Sequence, residues 1–243
     1  MKILIVNPNS TASMTAKIGE VAARIAASGT TIRAVNPLDS PPSIECYTEE
    51  ALCVPGLLRC IRDGEAQGYD GYVIACFGDP GLDSARELAR GPVIGIAEAA
   101  MHAASMLANS FSVVTTLDRT VGMAWHLAER YGMQRFCKNV RAADLPVLDL
   151  EDPTKNARAL IRDECLRALR EDRCESIVLG CAGMTDLCRS LSDEIGVPVI
   201  DGVAVAVKLA ESLSSLGLRT SKIGYWAPPP AKPQCSLVAE PGR

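Results

Sequence analysis

Two similar segments decide the fold of this chain: Tyr-Val-Ile-Ala-Cys-Phe-Gly-Asp-Pro-Gly at 72–81 and Ile-Val-Leu-Gly-Cys-Ala-Gly-Met at 177–184. In each, an apolar run with the length of a buried strand ends at a cysteine, Cys76 or Cys181, and residues with helical spacing follow. Such a cysteine lies at the carboxyl end of a strand, beside the N-terminus of the next helix. The N–H groups and helix dipole at that point favour a thiolate, and open α/β sheets bind ligands at the same edge.

The rest of the chain alternates between strand and helix. Further apolar runs of strand length occur at 2–6, 32–35, 92–96, 111–115, 140–145 and 198–200. Segments with helical spacing occur at 13–27, 48–67, 83–90, 98–108, 121–131, 154–172 and 203–216, and another follows the second cysteine. This alternation predicts an α/β fold of mostly parallel sheets flanked by helices. Residues 217–226 are expected to add a last strand, and the proline- and glycine-rich tail at 227–243 is expected to be irregular.

The two halves of the chain can be aligned with each other. A displacement of 105 residues places Cys76 on Cys181, and one further residue places the Pro-Val-Ile at 92–94 on that at 198–200. The order of the expected strands and helices agrees with this alignment. The sequence therefore predicts two pseudo-symmetric lobes, each of which carries its cysteine toward a shared cleft.

Composition and charge argue against several classes of function. The chain of 243 residues is 48% hydrophobic and 22% charged, as ordinary globular proteins are. Its formal net charge of −4, its 4% aromatic content and the lack of a basic block argue against a nucleic-acid partner. No apolar run reaches the length of a membrane span, and the apolar run in MKILIVNPNS is too short for a signal peptide. We therefore expect a cytoplasmic protein that binds neither nucleic acid nor membranes.

The ten cysteines do not follow a metal-binding or disulfide pattern. No two are spaced as Cys-x-x-Cys, and His102 and His126 are distant in sequence from any such cluster, so no metal site is expected. Without an export signal, reduced thiols are the expected state. Most of the cysteines are interpreted as small core residues, and Cys76 and Cys181 are the exceptions.

Two thiols that face each other suit one reaction, the inversion of a carbon that lies beside a carbonyl group. One sulfur acts as a thiolate and removes the proton, while the other acts as a thiol and returns a proton on the opposite face. The reference pKa of cysteine, about 8.5, is close enough to neutrality for both roles. The N–H groups after each cysteine, freed by Gly78 and Gly183, are expected to stabilise charge on the carbonyl oxygen. Nothing indicates a pyridoxal lysine, so no cofactor is expected.

At these residues the sequence resembles the aspartate/glutamate/hydantoin racemase superfamily. The resemblance is carried by Ala-Cys-Phe-Gly-Asp-Pro-Gly (75–81), Leu-Gly-Cys-Ala-Gly-Met (179–184) and Asn-Pro-Asn-Ser-Thr (7–11), and it extends to Tyr-Trp-Ala-Pro-Pro (225–229). The two-cysteine pattern is typical of the superfamily, and the Cys-Phe-Gly-Asp-Pro form is typical of its hydantoin branch.

This resemblance implies two pseudo-symmetric lobes with the active site in the cleft between them. The first lobe is expected to comprise residues 1–97 and 208–243, and the second residues 98–207. The resemblance also implies a homo-oligomer, and a reaction in which Cys76 and Cys181 exchange protons with C5 of a 5-substituted hydantoin. By position, the implied substrate-binding residues are Asn9, Ser10, Gly78, Asp79, Thr116, Ala182 and Gly183.

The chain departs from the amino-acid racemases at two places. Ala-Gly-Met follows the second cysteine where those enzymes have Thr-His or Thr-Glu, and the first strand ends in Asn-Pro-Asn-Ser rather than Asp-Ser-Gly. The polar groups that would handle a free carboxylate and ammonium are therefore absent, which favours a neutral cyclic amide as substrate. Allantoin is itself a 5-ureido hydantoin, so the sequence leaves an allantoin racemase open. A one-sided decarboxylase needs only one of the two thiols, and a non-catalytic thiol sensor or ligand-binding module is the other alternative.

Overall fold

The structure is a computed structural model, and it describes residues 1–231. Its strands are β1 (Lys2–Val6), β2 (Thr31–Val35), β3 (Gly71–Ile74), β4 (Val93–Gly95), β5 (Phe111–Thr115), β6 (Cys137–Ala142), β7 (Ser176–Leu179) and β8 (Val199–Ile200). Its helices are α1 (Ala12–Ile25), α2 (Tyr47–Ala66), α3 (Leu82–Leu88), α4 (Ile96–Leu107), α5 (Val121–Arg130), α6 (Ala157–Glu171), α7 (Cys188–Ile195) and α8 (Gly202–Ser215). None of the helices described is long and apolar enough to cross a membrane.

The strands form two four-stranded sheets with the same topology. The order is β2-β1-β3-β4 in the first sheet and β6-β5-β7-β8 in the second, and every pairing is parallel. β3 and β7, the strands that lead into Cys76 and Cys181, therefore occupy equivalent positions. This arrangement confirms the expected α/β fold of two lobes, each a parallel sheet flanked by helices.

One apolar cluster joins the two sheets, and it includes residues of α4 and α8. α8 packs on α4 and on β3 and β4 of the first sheet, while α4 packs on β7 and β8 of the second. The two helices start very close together, because a Cβ on Gly202 would lie 2.6 Å from the carbonyl oxygen of Ile96. The expected lobe boundaries, at 97/98 and 207/208, fall within these two helices. Residues 232–243, which were expected to belong to the first lobe, lie outside the described part of the chain.

The expectation of a last strand at 217–226 was wrong. The segment runs across the end of α3 and ends in a 3₁₀ turn at Gly224–Trp226. The N–H of Thr220 donates to the carbonyl oxygen of Arg90, and the ammonium of Lys222 donates to carbonyl oxygens at the end of α3. Because the donors of this segment bind carbonyl oxygens of α3 and of Arg90, the segment is held in place without pairing with a strand.

Candidate active site

Cys76 and Cys181 line the same cavity between the two sheets. Cys76 lies two residues beyond the end of β3, and Cys181 lies two residues beyond the end of β7. Both side chains are partly exposed, while Cys53, Cys137, Cys165, Cys174 and Cys188 are buried. The remaining residues that line the cavity are Asn9, Met14, Ile44, Ala75, Phe77, Gly78, Thr115, Thr116, Thr120, Met123, Ala124, Val147, Gly180 and Ala182.

The two thiols differ in their electrostatic surroundings. Burial raises the pKa of Cys181 to about 11, with the charge of Glu45 adding to the rise, while the Gly183 N–H and the ammonium of Lys17 counteract it. Burial raises the pKa of Cys76 well above its ordinary value, and Cys53, Cys181 and the Asp79 carboxylate add to that rise. The charges that act on Cys76 therefore all disfavour its thiolate, whereas Cys181 has one positive charge that favours ionisation.

The glycine N–H groups that follow each cysteine are directed at the sulfurs. The N–H of Gly183 donates to Sγ of Cys181 at 3.4 Å, and the N–H of Gly78 lowers the pKa of Cys76 by a similar hydrogen bond. Donors at this position favour the thiolate form of each cysteine. In this structure they serve the sulfurs, so other groups must stabilise charge on a substrate oxygen.

Asn9 presents a fixed amide donor to the cavity. Its Oδ1 accepts hydrogen bonds from Nδ2 of Asn7 at 2.8 Å and from the N–H of Thr11 at 2.9 Å. These contacts fix the amide so that its Nδ2 group is left with the thioether of Met14, 3.4 Å away. A thioether is only a weak acceptor, so the buried Nδ2 group of Asn9 is a donor that a ligand oxygen satisfies better.

Three threonines from the end of β5 and the following turn also line the cavity. The hydroxyls of Thr115 and Thr120 lie 2.8 Å apart, and the Thr120 hydroxyl also donates to the carbonyl oxygen of Leu117 at 2.7 Å. Thr116 is 3% exposed and contributes to the same wall. The cavity lining thus combines uncharged polar side chains with apolar ones.

A segment before α2 contributes to the cavity wall. Ile44 lines the cavity, and the carboxylate of Glu45 accepts a hydrogen bond from the N–H of Val147 at 2.8 Å. The same carboxylate accepts from the hydroxyl of Ser43 at 2.7 Å. Val147 belongs to the 3₁₀ turn Val147–Glu151, on the side of the second sheet. The hydrogen bond of Glu45 therefore joins two cavity-lining segments from the two halves of the molecule.

The residues expected to bind substrate do not all reach the cavity. Asn9, Gly78, Thr116 and Ala182 line it, as do both cysteines. The other three lie close to the site but are not among the lining residues: Ser10, Asp79 and Gly183.

Sequence reasoning missed several of the lining residues. Ile44 and Val147 come from loops without a local motif, and Met14 and Met123 read simply as buried residues of amphipathic helices. The position of Thr115 at the end of β5 was a usable signal, because the carboxyl ends of parallel strands share one sheet edge.

Comparison with known proteins places the chain in a family. The family model described as Asp/Glu/Hydantoin racemase matches residues 3–210. The chain belongs to this family. It is therefore an isomerase, a racemase that acts on a small molecule. Within residues 1–231, no group of three or more His, Cys, Asp or Glu side chains is arranged to hold a metal ion.

Members of the family with known names cover almost the whole chain. A hydantoin racemase from Rhizobium meliloti is 53% identical over 232 residues, which is 96% of each chain. A hydantoin racemase from Pseudomonas sp. (strain NS671) is 46% identical and covers 100% of this chain and 98% of its own. The solved structure of an allantoin racemase from Klebsiella pneumoniae is 53% identical, with a TM-score of 0.95 over 97% of this chain and 96% of that one.

Proposed function

We propose that this racemase inverts C5 of 5-substituted hydantoins without a cofactor, and that Cys76 and Cys181 are its two bases. In one direction the Cys181 thiolate removes the C5 proton, and the electron pair moves into the adjacent carbonyl group of the ring. The Cys76 thiol then protonates C5 on the opposite face and becomes the thiolate. The reverse direction starts from that state, so atoms and charge balance over each turnover.

One observation carries this proposal: both cysteines line a single cavity from equivalent positions on two separate sheets. A racemase must reach one carbon from opposite faces. Two thiols on one strand or one helix would approach that carbon from the same side. Cys76 and Cys181 instead follow β3 and β7, and the charge of Cys181 contributes to the raised pKa of Cys76, as expected for neighbouring sulfurs.

The assignment of the first base follows from the surroundings of the two sulfurs. At Cys181 the charge of Glu45 raises the pKa of the thiol and the ammonium of Lys17 lowers it, whereas the charges of Cys53, Cys181 and Asp79 all raise the pKa of Cys76. A positive charge favours a thiolate and a negative charge disfavours one. We therefore assign the resting thiolate to Cys181 and the resting thiol to Cys76.

The Nδ2 group of Asn9 is proposed to bind the ring oxygen on which charge develops. Among residues 1–231 its one hydrogen-bond partner is the weak thioether acceptor of Met14. The hydrogen bonds to Oδ1 of Asn9 fix the amide in place. A donor that needs no reorganisation stabilises the negative charge of the deprotonated ring more than that of the neutral substrate.

The lining of the cavity supports a neutral substrate. None of the lining residues in the described part of the chain is Lys, Arg, His, Asp or Glu. A free amino acid would bring a carboxylate and an ammonium that this lining leaves unpaired, at a high desolvation cost. A hydantoin ring brings only carbonyl and N–H groups, which threonine and asparagine side chains can pair.

Polarimetry on one enantiomer of 5-benzylhydantoin tests the proposed function. We expect the wild type to abolish the optical rotation, and Cys76→Ser and Cys181→Ser each to lower the rate by about 10²- to 10⁴-fold, the range of acid–base catalysis. Cys60→Ala is the matched control, since Cys60 does not line the cavity. Near-normal turnover by either serine variant contradicts the proposal, and unchanged rotation with the wild type, on allantoin as well, indicates a non-catalytic role.

Allantoin is the second candidate substrate, because the allantoin racemase from Klebsiella pneumoniae shares 53% of its sequence with this chain. The ureido group of allantoin offers several further hydrogen-bonding atoms, whereas a benzyl group offers none. Comparison of kcat/KM for allantoin and for 5-benzylhydantoin decides between them. A higher value for allantoin assigns it as the preferred substrate, and a higher value for the benzyl compound assigns the broader hydantoin class.

A further inference from the structure

Asp79 is tied to the turn that carries Cys76, but its carboxylate faces away from the cavity lining. The residue is 1% exposed and adopts a left-handed backbone conformation, with φ of 44°. Its N–H donates to the carbonyl oxygen of Cys76 at 3.0 Å, which closes a tight turn between the two residues. Any displacement of Asp79 is therefore passed to Cys76 through the backbone.

Three donors from other elements hold the carboxylate. Oδ1 accepts from the N–H of Ala97 at 3.1 Å, and Oδ2 accepts from the N–H of Glu98 at 2.9 Å. Oδ2 also accepts from the hydroxyl of Tyr131 at 2.7 Å. Ala97 and Glu98 start α4, and Tyr131 follows α5. The Cys76 turn is thereby fastened to two helices outside its own strand.

The two halves of the fold supply the carboxylate at this helix start from different positions in the chain. In the second half, Asp201 is the N-cap of α8, and its own Oδ1 accepts from the N–H of Val203 at 2.9 Å. The equivalent N-cap of α4 is Gly95. A Cβ on Gly95 would lie 2.3 Å from Cγ of Asp79, so the carboxylate of Asp79 fills the space of the missing side chain.

A helix cap alone does not require this arrangement. A carboxylate at the N-cap position itself satisfies the first turn of α8, as such residues do in general. In the first half the same task is done by a residue three positions after Cys76. We infer that Asp79 is a positioning residue, which fixes the Cys76 thiol against α4 and Tyr131 on its face of the substrate carbon. This inference rests on the proposed two-cysteine function.

The test separates the two faces of the reaction. A C181S background retains only Cys76, and a C76S background retains only Cys181, so each is expected to exchange C5 hydrogen for deuterium in one enantiomer of the substrate. Asp79→Gly is introduced into both backgrounds, because glycine tolerates the left-handed conformation at position 79. We expect exchange by Cys76 to fall by about 10- to 100-fold, with the substrate KM little changed, and exchange by Cys181 to be maintained.

A double variant distinguishes positioning from capping. Asp79→Gly combined with Gly95→Asp returns the carboxylate to the N-cap, as in the second half of the fold. We expect its unfolding midpoint in urea to recover relative to Asp79→Gly alone, while exchange by Cys76 stays low. Recovery of exchange together with stability overturns the inference, because a cap alone would then suffice.

Further variants keep the inference open to disproof if Asp79→Gly does not fold. Tyr131→Phe removes one of the three donors and should lower exchange by Cys76 by about 2- to 10-fold, the worth of one hydrogen bond. Asp83→Asn is the matched control, since Asp83 binds Arg130 at 2.5 Å on the exposed surface between α3 and α5. The inference is overturned if the variants lower the exchange rate equally for Cys76 and Cys181, or if they do not lower the exchange rate of Cys76. Absence of exchange in both single-cysteine backgrounds instead overturns the two-cysteine function, and the inference with it.

Discussion

Glu45 accepts a hydrogen bond from the backbone N–H of Val147 at 2.8 Å, and this contact joins the segment before α2 to the 3₁₀ turn that follows β6. Its neighbour Ile44 and Val147 itself both line the cavity. The charge of Glu45 also contributes to the raised pKa of Cys181. Glu45 therefore both joins two cavity-lining segments and raises the pKa of Cys181.

Glu45→Gln should make Cys181 easier to ionise. The substitution removes a negative charge that raises the Cys181 pKa but retains an oxygen that can accept from Val147. We expect the Cys181 pKa to fall from about 11, so that alkylation of Cys181 by iodoacetamide reaches half its maximal rate at lower pH than in the wild type. Glu45→Ala should show the same shift together with a raised KM, because it also loses the contact. An unchanged alkylation profile for both variants contradicts this role.

Lys17→Met should have the opposite effect on the same thiol. The ammonium of Lys17 lies 3.4 Å from the carbonyl oxygen of Gly183 and lowers the Cys181 pKa. Its removal should move the alkylation profile of Cys181 to higher pH and leave that of Cys76 in place. Peptide mass spectrometry after partial alkylation separates the two cysteines. A shift to lower pH would show that Lys17 does not act on Cys181 by its charge.

Asn9→Asp should abolish most of the turnover with little change in shape. The carboxylate that replaces the amide has no N–H for the substrate oxygen, and its charge opposes the charge that develops on the ring. We expect kcat to fall by about 10²- to 10³-fold, the usual cost of one such donor. Ser10→Ala is the control, because Ser10 is adjacent in sequence but does not line the cavity. A similar loss in both variants would point to a general disturbance of the turn after β1.

Gly95→Ala should destabilise the protein, because its Cβ would lie 2.3 Å from Cγ of the buried Asp79. Overlaps of this kind cost about 1–3 kcal/mol. Gly122→Ala is the matched control in α5, where a Cβ would have only one neighbour, at 4.0 Å. Alanine in a helix should increase the free energy of unfolding there by up to about 1 kcal/mol. Urea unfolding measures the change in unfolding free energy for each variant. Equal changes at the two positions would refute the crowding at Gly95.

Asp79 should make stability depend on pH. Burial raises its pKa from 3.8 to about 7 in the folded protein, although the Glu98 N–H, the Tyr131 hydroxyl and the Ala97 N–H oppose the rise. Between these two values the folded state holds a proton that the unfolded state has lost, so the contribution of Asp79 to stability decreases as pH rises. The unfolding free energy of the wild type minus that of Asp79→Asn should fall by on the order of 3–4 kcal/mol from pH 4 to pH 8. A difference that grows over this range would contradict the raised pKa.

Local patterns in the sequence were sufficient to predict the sheets. β1 and β5 begin and end where the apolar runs 2–6 and 111–115 do, because polar or turn residues flank both runs. The repeated cysteine motif predicted the equivalence of β3 and β7, since a conserved order of elements within one chain implies a repeated fold. The prediction of a strand at 217–226 was wrong because of tertiary contacts. The polar groups of this segment form hydrogen bonds with α3 and Arg90 instead of with a neighbouring strand.

The finer structure of the site lies beyond such patterns. Contacts between residues far apart in sequence, such as Glu45 with Val147 and Asp79 with Tyr131, leave no periodicity or motif. Asp79 illustrates the difficulty, because its place in the Cys76 motif suggested contact with substrate. Only the three-dimensional neighbours of its carboxylate, above all the space left by Gly95, show that it faces α4.

The two-cysteine mechanism requires one thiol on each face of the substrate carbon. The most direct test is to incubate each pure enantiomer of a 5-substituted hydantoin in deuterated water with C76S or with C181S, beside an enzyme-free control, and to follow C5 by NMR. We predict that each variant exchanges the C5 hydrogen of one enantiomer only, without inverting it, and that the two variants act on opposite enantiomers. Exchange of the same enantiomer by both variants, or of neither enantiomer by either variant, would contradict the account.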